Sequence, residues 1–172
     1  MSRPRFVDEH CVRAAAGLTL AAGSVAFAIA VLDSNPRPIR VVSTLFALDF
    51  AVRVVDRLEH SPTGIIAGWL TRWRQPFPVS ARPKRFAWTL GLLMSTSMAA
   101  ITNAGIRGIV PRTICVICLA LMWAEACLGL CIGCELYGAL QRRGWIGHHD
   151  GYDVCASGAC AVPVSAHQDS PT

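Results

Sequence analysis

The sequence predicts an all-α protein: a four-helix transmembrane bundle with a short interfacial amphipathic helix and an irregular C-terminal tail. Hydrophobic residues make up 53% of the 172, and they are gathered into runs rather than spread along the chain. Three of those runs, Ala14–Leu32, Phe86–Ala104 and Thr113–Cys134, are 19, 19 and 22 residues long with at most one charge each. That is the length of a bilayer-spanning helix. Basic residues, finally, are distributed unevenly between the connections, as membrane topology requires. Residues 1–143 form the membrane domain and 144–172 the tail.

Residues 1–10 are a polar lead-in with Asp8 as a helix N-cap, and helix one follows at about 12–32. A cleaved signal peptide is the alternative there, with Arg3 and Arg5 as its basic start and Ala26-Phe27-Ala28 as a small-x-small site. Asp8, Glu9 and the three later spans speak for a retained helix. Asp33-Ser34-Asn35-Pro36-Arg37-Pro38 is a tight turn. Helix two, about 38–57, holds Asp49 and Arg53, spaced i, i+4 so that they pair along one face. In the central loop, 56–85, Ser61-Pro62 supplies an N-cap and a first-turn proline. Ile65, Ile66, Trp69, Leu70 and Trp73 then recur at helical spacing over about 62–74. This is an amphipathic helix on the inner leaflet; a soluble helix packed under the bundle is the alternative. Pro76, Pro78 and Pro83 separate it from helix three, about 85–104. Helix four spans about 112–140.

Eleven basic residues lie before helix one, in the central loop and after helix four, against four (Arg37, Arg40, Arg107, Arg112) in the other two connections. This places the protein in the inner membrane with both termini cytoplasmic. The net charge of +5 is therefore a topology signal. No basic stripe interleaved with aromatics points to nucleic acid. On the cytoplasmic side the eight cysteines are expected to be mostly reduced, which disfavours a disulfide framework.

The densest chemistry lies in Glu125–Tyr137. On a continuous helix, Cys127, Cys131 and Cys134 share one face, and Cys115, Cys118 and Glu125 lie nearly opposite. Cys131-x-x-Cys134 reads as a redox or persulfide-relay pair with Cys127 as an auxiliary thiol. A helix C-terminus opposes thiolate formation, so Arg53, Arg142 or Arg143 would have to supply a cation. The competing reading is packing by small residues, with Gly129-x-x-x-Gly133 as a helix-contact motif. Asp49, Arg53 and Glu125 form a second group: an ion-pair network fixing helix two to helix four or, less simply, a proton or anion relay. In the tail, His148, His149, Cys155, Cys160 and His167 are metal-ligand types without a common zinc spacing; a thiol arm or an inert tail are the alternatives. Phosphate loop, nucleophile elbow and HExxH are absent, and the sequence leaves the cofactor open.

Val7-Asp8-Glu9, Leu48-Asp49-Phe50-Ala51-Val52-Arg53, Ser61-Pro62, Pro83-Lys84-Arg85-Phe86-Ala87 and the whole of Glu125–Tyr137 occur in an order that resembles the bacterial integral-membrane family labelled domain of unknown function 4395. The resemblance covers roughly residues 7–140. It implies a small multi-helix membrane protein and, as partner, a thioredoxin-like protein or a sulfurtransferase; it assigns no activity. The leading expectation is thiol or sulfur handling at the cytoplasmic face. Rivals are a non-catalytic anchor for a soluble redox or sulfurtransferase partner, a quinone-coupled disulfide oxidoreductase and a metal carrier.

Overall fold

The computed structural model describes residues 6–33 and 35–145 and is built almost entirely of helices. A short strand, β1 (Phe6–Asp8), leads into α1 (Glu9–Leu32). Asp8 turns the chain, accepting the amide of His10 at 3.1 Å and that of Phe77 at 3.0 Å. The first of these is the expected N-cap; the second ties the lead-in to a distant segment. Helix α2 (Arg37–Val55) ends where Arg85 donates to the carbonyls of Val54 and Asp56. A 3-10 turn, Leu58–His60, delivers Ser61, whose hydroxyl accepts the Gly64 amide at 3.0 Å and caps α3 (Pro62–Thr71). Strand β2 (Pro78–Ser80) follows and pairs antiparallel with β1, Val7 opposite Val79. Next come α4 (Ala81–Asn103), α5 (Ile109–Trp123), a π-helical turn (Ala124–Leu128) and α6 (Ile132–Arg142).

The expected all-α character holds, but the count of four helices does not. The fourth predicted helix, 112–140, is two helices at an angle, because Gly129 takes a left-handed conformation (φ 68°) that L side chains avoid. The β1–β2 pair was also unforeseen: three residues on each side carry no periodicity to read. Among the described residues two helices are long and apolar enough to cross a membrane, Glu9–Leu32 and Ile109–Leu128. Helix α2 falls short because Arg37 and Arg40 add to Asp49 and Arg53, and α4 because it opens with Arg82, Lys84 and Arg85 and holds Ser95, Thr96, Ser97 and Thr102.

Packing is close where side chains are small. Helix α2 makes its main contact with α4, where Gly91 receives the Phe50 ring; a Cβ on Gly91 would stand 2.8 Å from it. Helix α1 touches α2, α3 and α5, and its buried residues include Val12, Ala15 and Ala16. Leu45 and Leu48 of α2, Leu93 of α4, and Val116 and Ile117 of α5 face outward, whereas Asp49, Arg53, Lys84 and Glu125 are buried. Charged side chains inside and large apolar ones outside invert the soluble pattern.

Candidate functional site: a buried dithiol beside a lysine held by two carboxylates

The break at Gly129 makes the site. The chain leaves α5 through the π turn, a local widening often found at functional positions. Carbonyls freed there are taken by Arg13 of α1, which reaches Ala126 O at 3.2 Å and Cys127 O at 3.0 Å through Nη2. Gly129 then reverses the backbone and Cys131, in an extended conformation (φ −90°, ψ 96°), becomes the N-cap of α6. Cys131 and Cys134 therefore stand at the start of a helix. The expectation that they close one, with an opposing dipole, is corrected: the first turn of α6 presents its positive end to both sulfurs.

Their Sγ atoms are 2.7 Å apart and share one hydrogen bond. That is inside van der Waals contact, and closure into a disulfide at about 2.05 Å needs only a small further approach. Both are buried, Cys131 at 4% and Cys134 at 3% exposure. Val79 of β2 packs on them, with Val7 of β1 and Ala87 of α4 alongside, so the two-stranded pair lies over the thiols as a cover. Gly133, between the cysteines, lets α6 press onto α4: a Cβ there would lie 2.5 Å from that of Ala87.

The cation beside this pair is Lys84, the only lysine in the chain. It projects from the first turn of α4, is 2% exposed, and holds Glu125 Oε1 at 2.7 Å and Glu9 Oε2 at 2.9 Å. With a carboxylate at ion-pair distance on each of two sides, Lys84 is an ammonium. The Cys131 thiol is pushed above the ordinary thiol range, first by its hydrogen bond with Cys134, then by burial and by the charge of Glu125; Lys84 acts in the opposite direction.

Asp49 and Arg53 form a separate centre. They pair at 2.6 Å, as their spacing predicts. Asp49 Oδ1 also accepts the amide and hydroxyl of Thr63 at 3.0 and 2.9 Å, and Arg53 donates to the same hydroxyl. This network joins α2 to the start of α3. It does not join helix two to Glu125, whose hydrogen-bonded partner is Lys84. Arg53 is thereby committed to Asp49 and Thr63, and Arg142 and Arg143 lie at the far end of α6, roughly 16 Å of helix from Cys131. None of the three is the expected cation. Cys127 is exposed and, with the helix broken, no longer stacks in register with the pair.

Lys84, Glu9, Arg13 and Thr63, which complete these arrangements, are not among the candidate site residues the sequence offers. The signal for the first two was in hand: Lys84 is a lone lysine in an arginine-rich chain, and Glu9 stands at the threshold of an apolar run. The tail positions His148, His149, Cys155, Cys160 and His167 lie outside the described residues. Among the described residues no three His, Cys, Asp or Glu side chains are placed to hold a metal ion.

Between α1, α2, α4 and α5 runs a cavity of about 260 Å³. Its walls are apolar for most of their length, with Phe46, Phe50, Leu90, Met94 and Met122 prominent. Cys115 and Cys118 also line it, and at one end it reaches Glu125 and Cys131.

No curated protein and no solved structure matches the chain. A family model described as domain of unknown function (DUF4395) matches residues 7–142, the stretch that holds the six described α-helices, β2, all of β1 but Phe6, the dithiol and the Lys84 carboxylate pair, and the chain belongs to that family.

Proposed function

We propose that the chain is a multi-pass inner-membrane protein whose Cys131–Cys134 pair cycles between dithiol and disulfide near the cytoplasmic face. The observation that carries this reading is the 2.7 Å approach of the two sulfurs at the start of α6, beside the ammonium of Lys84. In the oxidising direction a partner disulfide, R–S–S–R′, takes two electrons and two protons from the pair and leaves as RSH and R′SH, while one S–S bond forms between Cys131 and Cys134. A thioredoxin-like protein is the partner class this exchange fits. Access requires the cover of Val7 and Val79 to lift. A redox role is preferred to a persulfide relay because a persulfide on either sulfur would be displaced as hydrosulfide by its neighbour.

The membrane reading rests on the outward apolar residues and inward charges of the bundle. Helices α1, α2, α4 and α5 cross the bilayer, with Asp49 and Arg53 of α2 neutralising each other within the protein. Helix α3 lies at the interface, with Ile65, Ile66, Trp69 and Leu70 outward and Arg72 stacked on Trp69 and Trp73.

The test is a redox titration of the purified protein in detergent, using mixtures of reduced and oxidised dithiothreitol, with free thiols alkylated and mapped by mass spectrometry. Cys131 and Cys134 should lose reactivity together, in one two-electron step, at potentials where Cys115 and Cys118 remain thiols. A 131–134 peptide that never becomes disulfide-linked under any mixture overturns the reading.

A further inference from the structure

The cavity has one property the redox reading does not use: its far end is plain hydrocarbon and its near end is a reacting thiol. Cys131 forms part of the wall, next to Ile132 and Gly133, and Glu125 stands beside it. From there the cavity follows α4 from Ala87 to Met98, about 16 Å of helix. Polar side chains along the way are already satisfied. Thr19 donates to Ala15 O, Ser43 to Arg40 O and Ser95 to Leu92 O, each on its own helix. The interior therefore offers a ligand apolar contact along its length and polar groups at one end only.

The approaches to the sulfurs differ in kind. On one side Val7 and Val79 cover them. On the cavity side Leu93, at 64% exposure, and Ile132 and Leu136, both exposed, belong to the lining. Leu93 of α4 and Ile132 and Leu136 of α6 thus give the cavity an exposed apolar rim, where a bilayer would supply the visitor. Whatever arrives by that route is lipid-soluble, and to be useful to a dithiol it accepts two electrons and two protons.

We propose that this cavity binds an isoprenoid quinone, its ring against Cys131 and Glu125 and its tail along α4, as the electron acceptor of the Cys131–Cys134 pair. This rests on the redox role proposed above. The reaction balances as two S–H bonds broken, one S–S bond formed, and the two electrons and two protons transferred to the two carbonyl oxygens, giving the hydroquinone. Lys84 and Glu125, hydrogen-bonded at 2.7 Å, lie where the departing protons must pass.

The experiment uses the full-length, fully reduced protein in lipid nanodiscs under anaerobic conditions. A short-chain ubiquinone analogue and, separately, the hydrophilic thiol oxidant diamide are added; quinone absorbance and the 131–134 disulfide are followed. Quinone should be reduced one for one with disulfide formed, at a rate that saturates with quinone. Leu93→Trp, at the exposed mouth where folding is not threatened, should raise the half-saturating quinone concentration by about an order of magnitude. Closure by diamide but not by quinone overturns the cavity assignment and leaves the redox role standing. A quinone rate that never saturates, or is indifferent to Leu93→Trp, overturns it as well, since the reaction then needs no bound ring. Failure of both oxidants to close the pair removes the redox role together with the cavity assignment.

Discussion

Lys84 neutralises two buried carboxylates, so its removal leaves Glu9 and Glu125 facing each other without a cation. Lys84→Met is expected to destabilise the protein by about 3–5 kcal/mol, measured by thermal unfolding in detergent, and adding Glu125→Gln should recover part of that. Arg53→Ala is expected to fall in the same range of about 3–5 kcal/mol. Its double substitution with Asp49→Ala should recover less than a simple pair would, because Asp49 also accepts the Thr63 amide and its loss leaves that first-turn amide of α3 unpaired. The thiols set a pH dependence of definite sign. Cys131 has its pKa raised above the ordinary 9.0, so the folded state holds a proton that the unfolded chain releases first. Stability of the reduced protein should therefore be level with respect to this group below about pH 9 and fall as pH rises above it. Cys131→Ser should flatten that decline.

At the level of single elements, the glycine pair of the last apolar segment divides its labour. Gly129 is a backbone hinge and Gly133 a contact surface. Gly129→Ala is expected to cost about 1–2 kcal/mol, the penalty for a left-handed L residue. Gly133→Ala should do more, since its methyl meets the Ala87 Cβ and backbone of α4, and α6 must shift and carry both cysteines with it. Disulfide closure by diamide, compared in the two variants, separates the effects: Gly133→Ala should slow it and Gly129→Ala should act mainly on stability. The contrast also explains how much of the site was legible beforehand. Cys131, Cys134 and Glu125 were read from a run in which thiols and an acid were out of place among hydrocarbon, and Asp49–Arg53 from simple i, i+4 geometry. The direction of the helix under the cysteines was not legible, because a glycine inside an apolar run fits an unbroken helix as well as a left-handed turn. The side of the dipole follows from that one residue. Lys84 reaches the site only through the folding of α4 onto α6, across 41 positions of sequence, and no local pattern carries such a contact.

Among the described residues, the bundle turns many large apolar side chains outward and buries two ion-pair centres, one at α2–α3 and one joining α1, α4 and the π turn. Helix boundaries at 9–32, 37–55 and 81–103 lie within a few residues of the sequence reading, since apolar run length governs both. The proposed topology is tested by reporter fusions. Those at Pro36 and Gly108 should be external and one after Thr172 internal; an external C-terminus would reverse the assignment of the dithiol to the cytoplasmic side.

One consequence follows from the lysine count. Because Lys84 is the only lysine of the chain, growth on lysine enriched with nitrogen-15 at the side chain would place a single isotopic label in the entire protein, at the junction of thiols, carboxylates and cavity. One resonance, with no assignment problem, would then register ammonium charge, the loss of thiol protons on oxidation and the arrival of a ring at Cys131. The amine is also shut away from water, so acylating reagents that mark ordinary membrane proteins on many lysines should leave this side chain untouched until the fold opens. Its labelling would serve as a clock for that opening.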